Sequence, residues 1–248
     1  MKIEEKFQNA LDKFVEKTKK NKNIVGILVT GSFVHSVLHK NSDLDVFVIL
    51  KDGIIRERGN TWIDGVEVEY FMNPVKQIEY YFGEEAGRGG PHTCHMFANS
   101  KVLFRRGDDV NKLIKEAKKI INKDRDKMGN VSKELAKYHL DDLEKDLEDV
   151  YVSGDDFAFR QVAMNVLDVS LDSFLQITRT YEEKHKRLEK YLKSKDVKFY
   201  GLYKKALVED NMKKKYVNLV KLINYVEGKF DGKRPKEWKL RSKCTYLK

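Results

Sequence analysis

The sequence predicts an α+β domain followed by an all-α helical bundle. Short apolar runs typical of strands alternate with helical patterns up to about residue 108, and helical periodicity fills almost all of the remainder. Only three prolines occur in 248 residues, and no low-complexity tract separates the two parts. Strands and helices first, then helices alone, indicate a mixed sheet with flanking helices over residues 1–108 and a helical domain over residues 109–248.

The N-terminal part alternates between the two kinds of element. Three helical patterns are predicted, near residues 3–15, 33–38 and 74–82. Four strands are predicted, at residues 24–29, 43–50, 62–71 and 101–104. The third strand contains Asp64-Gly65, which indicates a turn or a bulge within it, and Pro74 is a residue typical of a helix start.

The C-terminal part contains four or five amphipathic segments. They lie near residues 109–123, 132–152, 156–181, 182–193 and 202–228. Their apolar positions recur at helical spacing, with charged residues between them. Helices alone, without a strand to pack on, predict a bundle.

The composition indicates a soluble protein, with 41% hydrophobic and 35% charged residues. The longest apolar runs have the length of a strand, far short of the ~20 residues that span a bilayer. The N-terminus lacks the apolar stretch of a signal peptide, and two cysteines do not indicate a disulfide framework. We therefore expect a cytoplasmic protein without membrane contact.

The formal net charge is +10, and its excess lies in the last quarter of the chain. Residues 183–248 hold 21 Lys and Arg against 8 Asp and Glu, a net charge of +13. Such a segment fits phosphate contact in nucleic-acid binding, and it also fits a solvated helix surface. Few aromatic residues interleave with these lysines, which favours the solvated surface.

Two aspartates, Asp43 and Asp45, lie two positions apart on the second predicted strand. Side chains at this spacing point to one face of a strand, where two carboxylates repel unless a cation or a proton neutralises them. Mg²⁺ accepts carboxylate oxygens and keeps its other positions for water and phosphate. Gly31 and Ser32 end the preceding strand, where the backbone can approach a ligand and the serine can donate to phosphate.

A third carboxylate on a neighbouring strand would complete a two-metal site. Glu67 and Glu69 share one face of the strand predicted at 62–71, so that either can supply it.

The Gly31-Ser32 turn, a ten-residue gap and the segment 42–46 (Ser-Asp-Leu-Asp-Val) resemble the signature of the DNA polymerase β-like nucleotidyltransferase superfamily. The chain length and the helical part also resemble its small-molecule branch, which includes the kanamycin and streptomycin nucleotidyltransferases. The resemblance implies an N-terminal nucleotidyltransferase domain and a helical substrate-binding domain, and it is compatible with a homodimer.

The resemblance also implies roles for individual residues. The acids expected to bind Mg²⁺ are Asp43, Asp45 and Glu69, with Glu67 as the alternative third ligand. Glu69 is preferred because Glu-Tyr-Phe-x-Asn-Pro resembles the end of the third-acid strand in other members. The residues expected to contact the nucleotide are Gly31, Ser32 and Ser42.

In kanamycin-modifying relatives a carboxylate of the helical domain serves as the base. The segment 138–150 contains six acidic residues, of which Asp142, Asp146 and Asp149 share one flank of a helix. Asp142 and Asp146 are therefore the candidate catalytic bases, and the flank would attract a cationic acceptor. For each residue alone, a solvated helix face is the alternative.

These observations predict a Mg²⁺-dependent enzyme that transfers a nucleoside monophosphate to a hydroxyl group and releases pyrophosphate. The resemblance implies ATP as the donor and a small molecule, such as an aminoglycoside antibiotic, as the acceptor. One alternative is transfer to RNA or protein, which the basic C-terminal quarter supports. Another is a non-catalytic, regulatory or antitoxin-like member of the superfamily.

Overall fold

The computed structural model describes residues 2–86, 90–181 and 185–241, and these form two compact units that divide between Asp124 and Arg125. The strands of the first unit are β1 (Ile24–Thr30), β2 (Leu44–Leu50), β3 (Glu57–Ile63), β4 (Val66–Pro74) and β5 (Lys101–Arg105). Its helices are α1 (Ile3–Thr18), α2 (Ser32–His35), α3 (Val75–Ala86), α4 (His92–Ala98) and α5 (Asp109–Ile121). The predicted mixed sheet with flanking helices is thus confirmed.

The five strands form one sheet in the order β3-β4-β2-β1-β5. Strands β2 and β4 are parallel, and the other neighbours are antiparallel. Strand β1, which lies between β2 and β5, is buried along its whole length because helices cover both faces of the sheet. Helix α1 packs on one face through Phe7, Leu11 and Phe14. Helices α3, α4 and α5 pack on the other face.

Strands β3 and β4 form a hairpin where the sequence predicted a single strand. Asp64 and Gly65 form its turn with φ angles of 52° and 70°, which are typical of two-residue hairpin turns. Strand β3 has the polar sequence Glu-Arg-Gly-Asn-Thr-Trp-Ile, and its residues are exposed or half-buried at the sheet edge. An edge strand needs little apolar surface, so apolar periodicity did not reveal it.

Helix α5 belongs to the first unit, although its sequence placed it in the helical part. The predicted boundary lay at 108/109, whereas the units divide between Asp124 and Arg125. Val110, Leu113 and Ala117 of α5 are buried in the core on the sheet face that α3 and α4 also cover. An amphipathic pattern identifies a helix but not the surface that its apolar side covers.

The described part of the second unit is helical, as predicted. Its helices are α6 (Asn130–Ser153), α7 (Asp156–Ile177), α8 (His185–Lys195), α9 (Val197–Val208) and α10 (Met212–Lys229). One apolar core joins them, and within it the rings of Phe174 and Phe199 stack with centroids 3.8 Å apart. The segment predicted at 202–228 is divided between α9 and α10, and the Asn211 side chain caps α10. The start of the segment predicted at 182–193 lies outside the described residues.

Among the residues that the structure describes, no helix combines the length and apolar character needed to cross a bilayer.

Candidate metal and nucleotide site

Three carboxylates of the first unit converge on one face of the sheet. Asp43, Asp45 and Glu69 each place an oxygen within 4.8 Å of the others, and all three side chains are half-buried. The parallel pairing of β2 and β4 sets Asp45 directly opposite Glu69. Asp43 lies one residue before β2, two positions from Asp45. The strand register, rather than a flexible loop, therefore brings two of the three acids together.

Gly31 lets the end of β1 approach the carboxylate of Asp45. Its φ of 71° and ψ of −146° lie in a region that only glycine adopts readily. A Cβ atom at this position would lie 2.0 Å from Oδ2 of Asp45. Any side chain here would displace the carboxylate or the turn, so the glycine identified in the sequence is required by two separate constraints.

Ser32 follows Gly31 and begins α2. Its Oγ atom is buried, and it is one of four buried side-chain polar atoms in the described residues that have no hydrogen-bond partner. A buried hydroxyl without a partner is costly and requires an explanation, such as a ligand that supplies the missing hydrogen bond.

Ser42 has a different environment, because its Oγ accepts a hydrogen bond of 3.0 Å from the backbone nitrogen of His39. The same oxygen lies 3.3 Å from Nδ1 of His39, and the Ser42 nitrogen donates to the His39 carbonyl. These bonds close the turn immediately before Asp43. The structure thus places Ser42 in the support of the acid-bearing segment, while its predicted contact with the nucleotide stays a prediction.

Glu67 and Glu69 differ in their neighbours, although they share one face of β4. Nδ2 of Asn60 donates to Oε1 of Glu67 at 2.6 Å. Nε and Nη2 of Arg58 both donate to Oε1 of Glu69, at 2.9 and 2.6 Å. Within the described residues only Glu69 belongs to the group with Asp43 and Asp45. The geometry therefore favours Glu69 over Glu67 as the third acid.

Sequence reasoning missed Arg58 and Asn60, the two β3 residues that contact these glutamates. The turn signal Asp64-Gly65 could have located them. A two-residue turn there sets Trp62 opposite Glu67 and Asn60 opposite Glu69, as the structure shows. Polar residues on the predicted partner strand were the available clue.

The chemistry of the three-acid group follows from its charge and its donor atoms. Three carboxylates this close repel one another when ionised, and Arg58 offsets only part of that charge. A hard divalent cation is coordinated by just such oxygen ligands. The group can hold a cation next to the Gly31 turn.

The base candidates Asp142 and Asp146 lie on α6 in the second unit, and both are exposed. Their neighbour Asp141 is bound to Lys145 at 2.8 Å and to the guanidinium of Arg234. Glu144 is bound to Lys233 at 2.5 Å. The α6 acids are therefore divided into an exposed flank and a flank that holds the segment following α10.

Comparison with known proteins identifies the family. A family model described as a nucleotidyltransferase domain matches residues 11–236, and no curated protein matches the chain. A nucleotidyltransferase-like protein from Exiguobacterium sibiricum 255-15 is 13% identical with a TM-score of 0.47, over 90% of this chain and 77% of that one.

A spectinomycin adenyltransferase from Enterococcus faecialis, solved with ATP and spectinomycin, is 14% identical with a TM-score of 0.33. That similarity covers 90% of this chain and 98% of the other. Because the family model covers most of the chain, the protein belongs to the nucleotidyltransferase family, and it is an enzyme of that class.

Proposed function

We propose that this nucleotidyltransferase moves AMP from ATP to a hydroxyl group of a small, cationic acceptor and releases pyrophosphate. The observation that carries the proposal is the convergence of Asp43, Asp45 and Glu69 beside Gly31. Such a group is suited to hold the cation that accompanies a nucleoside triphosphate. The sequence resemblance to the small-molecule branch supports ATP as the donor.

Mg²⁺ is the proposed cation, held by Asp43, Asp45 and Glu69. These residues fit a divalent cation because each supplies an oxygen within 4.8 Å of the others. Glu67 instead accepts a hydrogen bond from the side chain of Asn60. When bound, Mg²⁺ supplies neutralisation of phosphate charge and activation of the attacking hydroxyl for in-line displacement. The absence of a side chain at Gly31 leaves room for the Asp45 carboxylate in this arrangement.

Ser32 and Gly31 are proposed to bind the phosphates. The hydroxyl of Ser32 is buried with no hydrogen-bond partner among the described residues, and it can donate to a phosphate oxygen. Gly31 carries no side chain that would keep the triphosphate away from the turn. Ser42 supports the chain before Asp43 through its bond to His39 and is proposed as a nucleotide contact on the resemblance alone.

The transfer needs an acceptor for one proton. The acceptor oxygen forms a bond to the α-phosphorus, the bond from that phosphorus to the pyrophosphate oxygen breaks, and the hydroxyl proton passes to a base. Asp142 and Asp146 are proposed for this role because both are exposed on α6. Their flank also carries Asp149, and its negative charge would attract an amino group of an aminoglycoside-like acceptor.

The direct test is a screen for pyrophosphate release with each of the four nucleoside triphosphates. The acceptors are a panel of aminoglycosides, lincosamides and tRNA, and mass spectrometry identifies the product. We expect Mg²⁺-dependent release with ATP and an acceptor whose mass rises by one AMP residue. Release with tRNA alone would replace the proposal by its macromolecular alternative.

A second experiment addresses the non-catalytic alternative. Calorimetric titration of ATP and Mg²⁺ into the native chain should give heat, and Asp45→Asn should reduce it. Absence of heat from the native chain, together with no turnover of any acceptor, would support a regulatory role instead.

A further inference from the structure

Arg58 on the edge strand β3 contacts the third acid of the candidate metal site. Both Nε and Nη2 donate to a single oxygen, Oε1 of Glu69, at 2.9 and 2.6 Å. We propose that Arg58 is a positioning residue, which holds Glu69 by one oxygen and directs the carboxylate towards the cation. This inference rests on the proposed metal site, and it assigns a role to a residue outside the acid group.

The guanidinium is itself fixed by an aromatic platform. Its Cζ atom lies 4.8 Å from the centroid of the Phe71 ring, and Phe71 is directly opposite Arg58 in the hairpin. Phe71 stacks on Phe47 at 4.9 Å, and Phe47 makes an edge contact with Phe97 at 5.0 Å. Phe47 and Phe97 are buried, so the ring contacts connect Arg58 to the core of the first unit.

Glu69 has more need of such a contact than Asp45. A glutamate has one more rotatable bond than an aspartate, and its side chain is 27% exposed. Asp45 is confined by the close approach of Gly31. A partner that orients the metal-binding carboxylate reduces the conformational entropy that the side chain loses when the cation binds. Loss of such a partner typically weakens metal binding by about 10–100-fold.

The positive charge of Arg58 should weaken metal binding, because it repels the metal cation. The Arg58 side chain is 69% exposed, however, so solvent screens this repulsion. Exposed ion pairs typically change an equilibrium constant by less than about fivefold. Orientation should therefore outweigh repulsion, and the sign of the change on removing Arg58 distinguishes the two effects.

The test is Mn²⁺ binding to the full chain, followed by the electron paramagnetic resonance signal of free Mn²⁺. Arg58→Met should raise the dissociation constant by about 10–100-fold. Arg58→Lys should give an intermediate value, because it keeps the charge but not the paired N–H donors. Asn60→Ala is the matched control, since it removes a hydrogen bond from the same strand to Glu67, and it should change binding less than about twofold.

A double-mutant cycle establishes whether Arg58 acts through Glu69. Arg58→Met should have no further effect in a Glu69→Gln background, and thermal unfolding should show each variant folded. Equal effects in both backgrounds, or unchanged or tighter Mn²⁺ binding by Arg58→Met, would overturn the inference. If the native chain does not bind Mn²⁺, or Asp45→Asn binds it equally well, the proposed metal site is wrong and the inference falls with it.

Discussion

The two units arrange their carboxylates in opposite ways. In the first, Asp43, Asp45 and Glu69 converge within 4.8 Å on one sheet face. In the second, the α6 acids lie along a helix, and Asp141 is paired with Lys145 and Arg234. The converging acids are suited to hold a cation supplied from solution even with Arg58 bound to Glu69, whereas Asp141 is already bound by two basic side chains.

The pKa of Asp141 illustrates the second arrangement. Burial alone would raise the pKa of this carboxyl, but hydrogen bonds from Lys145 and Arg234 outweigh it and lower the pKa below its ordinary value. The Arg234 guanidinium also lies over the rings of Tyr138 and Trp238. Asp141 therefore joins the segment after α10 to α6, and it is not available as a base.

The largest loss of turnover should follow from replacing Asp43 or Asp45. Asp43→Asn and Asp45→Asn should each lower turnover by at least about 10³-fold, because a catalytic cation supplies several kcal/mol of transition-state stabilisation. The measurement is pyrophosphate release, with thermal unfolding to show that the fold persists. Asp52→Asn, an exposed aspartate of the same unit, is the control, and near-native activity in either test variant would show that the site is misassigned.

The exposed flank of α6 should give the next largest effect. The double variant Asp142→Asn/Asp146→Asn should lower kcat by about 10²-fold, the lower end of what a general base contributes. Its stability should remain close to native because both side chains are exposed. A kcat within threefold of native would remove both residues as base candidates.

Gly31→Ala should have a smaller effect on activity. It tests the contact between the turn at Gly31 and the carboxylate of Asp45. The added Cβ would meet Oδ2 of Asp45 at 2.0 Å, and the φ of 71° adds roughly 1–3 kcal/mol of strain. We expect a loss of activity of about tenfold or more together with a lower melting temperature.

Gly107→Ala is the control for this substitution. Gly107 has a similar φ of 76° but nothing within 4 Å of the added Cβ, so it should lose stability and keep activity. Equal activity losses in the two variants would show that strain, and not contact with Asp45, explains the effect.

The smallest effect, a change in stability without a change in activity, should come from replacing Glu227, a buried carboxylate of the second unit. Burial raises the pKa of Glu227, and Lys233 at 3.6 Å offsets only part of that rise. Because the folded chain then holds this proton more tightly than the unfolded chain, the free energy of unfolding falls as pH rises from the ordinary glutamate value through the raised pKa. Glu227→Gln should remove this dependence and add roughly 1 kcal/mol at neutral pH, without changing activity.

Urea unfolding between pH 4 and pH 8 measures this dependence. Glu144→Gln is the control, since it removes the negative charge bound to Lys233 and should destabilise the chain. A pH profile of Glu227→Gln that follows the native profile would show that another group is responsible.

Sequence periodicity predicted the elements that have a full apolar face. Strand β1 is buried along its length and strand β2 nearly so, and both were located to within a residue. Strand β3 was missed because an edge strand has a mostly polar sequence. Helix α5 was recognised as a helix, but the surface it covers depends on contacts that are distant in sequence.

The candidate site was predictable where it depends on local spacing. Asp43, Asp45 and the Gly31-Ser32 turn follow from positions along one stretch of chain. The choice between Glu67 and Glu69 depends instead on the register of β4 against β2 and on which β3 side chain contacts each acid. Register is a tertiary property, so the sequence alone left both glutamates open.

The most direct test of the proposed metal and nucleotide site is a crystal of the native chain grown with Mn²⁺ and a non-hydrolysable ATP analogue. Anomalous scattering locates the metal without assumption about its ligands. We expect Mn²⁺ bound by Asp43, Asp45 and Glu69, with the triphosphate at the Gly31-Ser32 turn. Mn²⁺ and nucleotide bound elsewhere, for example at the acids of α6, would contradict it.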